Sequence, residues 1–246
     1  MPAHPTSSPE VPPDDITMVK VREALREGGC PVCRVISASA RRYLWGFLYE
    51  QVNDPGVRDA LLRSRGFCRH HAWMLTQFYD TLGVSIVYHH LVQELARDLR
   101  AVAEGVRRLR GSGPVPRLPS PTQPCPACRV ARQAEHNALE AVVQRLDDEQ
   151  VRARLGTDAP LCLPHLRAAW ELAPDARARQ LLAALQVAAL EVLGRQLEEF
   201  IRKQDYRFRH EGLSAGEGTA WTRAIEVLVG RDPLDDRRRA GSRGSG

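Results

Sequence analysis

The chain predicts an all-α protein built from one helical module used twice, and three observations carry that expectation. Apolar residues recur at helical three-and-four spacing, with no credible alternating strand among them. Every cysteine lies in a C-x2-C or a C-x2-H pair. Those pairs come back a little under a hundred residues later: Cys30-Pro31-Val32-Cys33 and Cys68-Arg69-His70-His71 are followed by Cys125-Pro126-Ala127-Cys128 and Cys162-Leu163-Pro164-His165. Thirty-four residues separate the two pairs in the first copy and thirty-three in the second.

The repeat extends beyond the cysteines. A shift of 95 lays Cys30, Cys33, Arg34 and Val35 on Cys125, Cys128, Arg129 and Val130, and Leu44 on Leu139. A shift of 94 then lays Asp54, Val57, Arg58 and Leu61 on Asp148, Val151, Arg152 and Leu155, and Cys68 and His71 on Cys162 and His165. One residue is therefore lost between the first helix and the second half-site. The expected organisation is an arm at 1–15, a first repeat at 16–110, a linker at 111–124, a second repeat at 125–210, an amphipathic helix within 211–230 and a tail at 231–246.

Each element has a local reason. Residues 1–15 are rich in proline and polar side chains and predict a disordered arm. Ile16 to Arg26 is a short amphipathic helix ended by Gly28-Gly29. Pro31 suits the first turn of the next helix, where its missing N–H costs nothing, and that helix should run to about Val52 with Val35, Tyr43, Leu44, Phe47 and Leu48 inward. Asp54-Pro55 caps and opens a short helix that Gly66 ends. Cys68 begins another through Trp73, Leu75 and Phe78. After Gly83 comes a long helix whose Tyr88, Val92, Leu95, Leu99, Val102, Val106 and Leu109 step alternately by four and three, as in a coiled-coil seam.

Gly111 to Pro124 is dense in proline, glycine and serine, as linkers are. The second copy repeats the order, with a long helix from near Asp175 to about Phe208 that carries Leu190, Leu193, Leu197 and Phe200. A last helix follows the glycines at 212–218 and places Trp221, Ile225, Leu228 and Val229 on one face; the charged tail beyond Gly230 predicts disorder.

No stretch approaches the ~20 apolar residues of a membrane span, and no secretory leader stands at the start, so a soluble cytoplasmic protein is expected. In a reducing compartment six cysteines are better explained as thiolate ligands than as three disulfides. The formal charge is +5, and its basic side is almost all arginine, with lysine only at Lys20 and Lys203. Six thiolates and two divalent ions would bring the total to about +3. So mild and dispersed a charge supports nucleic-acid binding only weakly.

Zinc takes four ligands in a tetrahedron, and Cys3His is one of its common structural sets. Two short chelating pairs at C-x2-C and C-x2-H spacing supply it, each at the start of a helix where free N–H groups favour thiolate. The expectation is one zinc per repeat, two in all: Cys30, Cys33, Cys68 and His71 in the first, Cys125, Cys128, Cys162 and His165 in the second. Each site would then staple the starts of two helices of its own module. A thioredoxin-type reading of C-P-x-C lacks the βαβ context. An iron–sulfur cluster with one histidine is the less favoured alternative. Four protein ligands leave no open position for a catalytic water, and no phosphate loop, nucleophile elbow or paired carboxylate appears, so no catalytic residue is assigned.

The remaining histidines fit metal binding less well. His70 lacks the repeat that selects His71, adjacent His89 and His90 point apart on a helix, and His136 and His210 have no partner in the other copy. Asp54 and Asp148 read as helix caps, and the recurring Arg58 and Arg152 as salt-bridge residues.

With CPVC, VNDPGVR, GFCRHHAW, CPAC, CLPH and AWTRAIEVLVG in hand, the chain resembles an uncharacterised prokaryotic family, domain of unknown function 6062, over nearly all of Ile16 to Gly230. The resemblance implies the paired cysteine–histidine half-sites, the helical character and the closing tryptophan-bearing helix, and no substrate or reaction. Copy two departs locally, with Pro164 before its histidine and no Gly-Phe before its cysteine. Three functions are weighed. The first is a non-enzymatic, zinc-stapled interaction or regulatory module that meets a protein partner or self-associates through its long helices. The second is a nucleic-acid-binding protein, and the third a thiol-based redox or metal-responsive switch.

Overall fold

The computed structural model describes residues 15–108 and 114–231. The expected arm, apart from Asp15, and nearly all of the tail lie outside them, as do Leu109 and the first residues of the linker. Regular structure among the described residues is helical throughout.

Helix α1 (Ile16–Arg26) starts on Asp15, whose carboxylate accepts the N–H of Met18 at 2.7 Å. It ends at Gly28 and Gly29, both at positive φ (74° and 68°), a backbone that glycine adopts without steric cost. Arg34 locks this turn from the next helix, donating to the Gly28 carbonyl, to the Glu27 carbonyl at 3.0 Å and to the Glu27 carboxylate at 2.6 Å. The turn delivers Cys30 to the start of α2 (Pro31–Gly46), which continues as a π-helical segment, Phe47–Gln51. Helix α3 (Pro55–Arg63) is capped by Asp54, which accepts the Val57 N–H at 2.9 Å. In place of the expected salt bridge, Arg58 donates to the Val52 carbonyl at 2.7 Å and to Asn53 at 3.2 Å, tying the preceding turn to the helix.

Cys68 is the N-cap of α4 (Arg69–Leu75), which a 3₁₀ turn, Thr76–Phe78, prolongs before the long α5 (Thr81–Arg108). The described part of the linker, 114–124, has no regular structure. Helix α6 (Pro126–Gln144) follows Cys125, and α7 (Glu149–Leu155) is capped by Asp148, which accepts from Gln150 at 2.9 Å and Val151 at 3.1 Å. Cys162 is the N-cap of α8 (Leu163–Leu172), and Asp175 caps α9 (Ala176–Arg202). Helix α9 stops short of the expected Phe208. Arg202 there grips Glu199 and Glu211, and the chain turns through Arg209–Glu211 into α10 (Ala215–Val229), which opens with a Ser214–Glu217 capping box.

Two compact units are present, and each draws on separate stretches of the chain. One comprises 15–35 with 134–231; the other comprises 36–108 with 114–133. The division falls inside α2, between Val35 and Ile36, and inside α6, between Gln133 and Ala134.

In the first unit α1 lies on α7, joined by Arg22, which donates to Asp148 at 2.8 Å, and by Arg154, which donates to the Leu25 carbonyl at 3.0 Å. Helix α10 runs along α9 and also touches α8. Its Ala220 and Val227, with Ala224, pack on Leu193 and Leu197, while Trp221, Ile225, Leu228 and Val229 point outward at 51–69% exposure. The inner stripe is small because two helices crowd there.

The second unit has its core on Leu44, Phe47, Leu61, Met74, Leu75 and Val87, with Phe47 and Phe67 meeting edge to face at 5.2 Å. Burying a leucine such as Leu44 contributes ~1.5–3 kcal/mol. Of the residues expected on the buried side of α2, Val35, Leu44, Phe47 and Leu48 are buried and Tyr43 is partly so. No helix among the described residues is long and apolar enough to cross a membrane.

Candidate metal centre

All four C-x2-C and C-x2-H pairs stand at helix starts, and they meet in two clusters. Cys30 and Cys33 of α2 meet Cys162 and His165 of α8; Cys68 and His71 of α4 meet Cys125 and Cys128 of α6. In each cluster the four ligand atoms lie within 4.8 Å of one another. The eight predicted residues fall in these two clusters, but not with one cluster per repeat as expected. Each cluster joins a C-x2-C pair from one half of the chain to a C-x2-H pair from the other half. Local spacing decides which two side chains chelate together, whereas helix packing decides which pairs meet. The first cluster belongs to the first unit and the second to the second unit, so each lies between helices of one compact unit.

The distances suit a four-coordinate ion. A tetrahedron with metal–sulfur bonds of about 2.3 Å and a metal–nitrogen bond of about 2.0–2.1 Å has edges of about 3.8 Å between sulfurs and about 3.5 Å between sulfur and nitrogen. In the first cluster the Cys33 and Cys162 sulfurs are 3.7 Å apart, and His165 Nδ1 lies 3.4, 3.4 and 3.1 Å from Cys30, Cys33 and Cys162. In the second, the Cys68 and Cys128 sulfurs are 3.5 Å apart, and His71 Nδ1 lies 3.3, 3.7 and 3.3 Å from Cys68, Cys125 and Cys128. A disulfide needs sulfurs about 2.05 Å apart, and all six thiols are free. Both histidines face their cluster through Nδ1, which leaves Nε2 for another partner.

Without an ion the clusters hold protons unequally. Burial pushes the Cys30 thiol well above its ordinary range, reinforced by Cys162 and Cys33. Cys33 goes the other way: hydrogen bonds from Cys162 and Cys30 stabilise its thiolate against burial, helped by His165 and the N–H of Arg231. Burial opposes a charged His165, yet bonds to Cys162 and Cys33 outweigh it and carry its pKa up to about 10. In the second cluster, burial and then the neighbouring His70 lower His71 to about 4, while burial and Cys68 push Cys128 up to about 12. Ligation replaces these protons with one divalent charge.

Several contributors carry no repeated spacing in the sequence. Glu135 Oε1 lies 3.3 Å from His165 Nε2. Gly230, at φ 91°, is so close that a Cβ there would sit 3.7 Å from the Cys33 sulfur and 3.8 Å from that of Cys162. Beside the second cluster, burial raises the Tyr88 hydroxyl pKa, with Cys125 and Cys68 adding to it. The only signal for Glu135 is a break in the 95-residue register, which places Ala40 at the matching position. Two of the histidines set aside have other partners: His90 meets Glu94 at 3.5 Å and His136 meets Glu140 at 3.3 Å.

A model of a family of unknown function, DUF6062, matches residues 13–235. An uncharacterized 23.9 kDa protein in the xynA 3'region of Caldicellulosiruptor sp. (strain Rt8B.4) is 26% identical over 210 residues, which are 85% of this chain and 98% of that protein. No solved structure matches.

Proposed function

Because the chain belongs to that family and inherits no known activity from it, we propose from its own residues that it is a non-enzymatic helical protein holding two structural zinc ions. Cys30, Cys33, Cys162 and His165 bind one, and Cys68, His71, Cys125 and Cys128 bind the other. The single observation that carries this reading is that both clusters independently reproduce the edge lengths of a zinc tetrahedron. Zinc supplies cross-linking there, because four protein ligands leave no position for a reacting water. The proposed origin is a duplicated helical module whose half-sites exchanged partners between copies. Cobalt tests the reading: titrated into metal-free protein, it should give the visible bands of tetrahedral thiolate cobalt and saturate at two equivalents. An octahedral spectrum, or saturation without thiolate charge transfer, would contradict it.

The exposed stripe of α5 favours a protein-interaction role. Val92, Leu95, Leu99 and Val106 keep heptad spacing and are 42–62% exposed. Partner binding or self-association along this face follows, and L95E/L99E should abolish any oligomer seen by analytical ultracentrifugation.

A further inference from the structure

The two centres share their ligand types but not their surroundings. At the first, His165 presents Nδ1 to the three sulfurs while its Nε2 meets the Glu135 carboxylate at 3.3 Å. A carboxylate behind a ligating imidazole fixes the ring's orientation and tautomer and makes the ligating nitrogen more basic. The same centre is closed by the end of α10: Gly230 packs on Cys33 and Cys162, and the Arg231 N–H bonds to the Cys33 sulfur. Cys30, Cys162 and His165 are buried there.

At the second centre, no carboxylate among the described residues reaches His71. Its ring stands 5.0 Å from that of His70, edge to face. The position that corresponds to Glu135 under the 95-residue shift is Ala40, which is buried and carries no polar group. Cys68 and Cys128 are each partly exposed, against Cys33 alone in the first centre.

Resting on the zinc reading above, we propose that the centres are unequal: Glu135 is a positioning residue that makes the Cys30 centre retentive, and the Cys68 centre gives up its zinc first. One unit is then firmly stapled, and the other carries the exchangeable metal. Removing a carboxylate that supports a ligating histidine costs about 10–100-fold in metal affinity, and a gap of that order separates the two sites.

The test is stepwise removal of zinc from the full chain by graded chelator, with a zinc indicator reading each equivalent. Trapping freed thiols with iodoacetamide and mapping the modified peptides assigns the steps without any variant. The expected result is two separated steps, the first exposing Cys68, Cys125 and Cys128 and the second exposing Cys30, Cys33 and Cys162. E135A should pull the second step toward the first by about 10–100-fold. E135Q, which keeps an oxygen acceptor, should recover part of the difference. In the wild type, the ring-nitrogen NMR shifts of His165 should report a protonated Nε2, and E135A should disturb them at unchanged helicity. One unresolved step for both ions, the reverse labelling order, or an E135A protein with the wild-type second step would overturn the proposal. Protein that holds no zinc before chelation would instead overturn the underlying metal reading.

Discussion

Helix α9 buries Leu182, Gln186, Ala189 and Leu193 along its length, whereas the similarly long α5 buries only Gly83 and Val87, near its start. Both carry apolar residues at three-and-four spacing. The difference is in what packs on each helix: α7 and α8 meet α9, where Gln186 donates to the Leu161 carbonyl, and α10 covers Leu193 with the small residues Ala220 and Ala224 and the buried Val227; α5 has no such helical cover among the described residues. Periodicity therefore sets where a stripe lies on a helix, and only a neighbour decides whether that stripe is core or surface. The same holds for the two clusters, whose identical ligand sets are framed by different residues.

The largest expected effect in either unit comes from the metal. Apparent binding energies of roughly 10–16 kcal/mol per structural zinc rival the stability of a whole domain, so chelation should collapse cooperative unfolding, read by circular dichroism melts. In what structure survives, the two histidines should contribute in opposite directions with pH. His165 has a raised pKa, so its contribution is fully present below the unfolded value of about 6.5 and is lost as pH rises through about 10. His71 has a lowered pKa, so its contribution is present above about 6.5 and is lost as pH falls through about 4. In the metal-free chain, histidine-ring NMR titrations should show His165 still protonated well above pH 6.5 and His71 still neutral well below it. The same direction in both would break the comparison.

Packing predicts a smaller contrast. Ala220→Leu should overfill the α9–α10 contact and cost ~1–3 kcal/mol in zinc-loaded protein, while Leu95→Ala on the bare face of α5 should stay within ~0.5 kcal/mol. Denaturant midpoints measure both. Smaller again is the contrast between the caps. Asp54 only caps its helix, so Asp54→Ala should cost ~1 kcal/mol. Asp148 also pairs with Arg22 at 2.8 Å, which lowers its pKa, and Asp148→Ala should cost more, ~2 kcal/mol. Equal losses would mean that the Arg22 pair contributes nothing to holding α1 on α7.

Much of this was legible in the residues. Proline after a cysteine, aspartate before a helix and glycine pairs after one set helix limits through local chemistry, and α1 begins and ends as those signals imply. The candidate ligand types were legible because chelating spacing is local too. The pairing of half-sites was not. Thirty-four residues lie between Cys33 and Cys68 and far more between Cys33 and Cys162, and chain separation favours the nearer partner. The nearer pair loses because α2 and α8, and likewise α4 and α6, are the helices whose starts are brought together. Glu135 was equally hidden, since its partner His165 lies on another helix. The outward turn of Trp221 and Ile225 reflects the narrow gap beside α9, which admits alanine, a property of the packed pair and not of α10 alone.

Zinc stoichiometry in two double variants tests the exchanged pairing most directly. C33S/C162S strips two ligands from one cluster and should keep one zinc per chain, against two in the wild type. C33S/C68S strips one ligand from each cluster, should weaken both and should lose more than one equivalent under mild chelation. If C33S/C68S instead holds one zinc firmly while C33S/C162S loses both, the half-sites pair within each copy and the exchanged pairing is wrong.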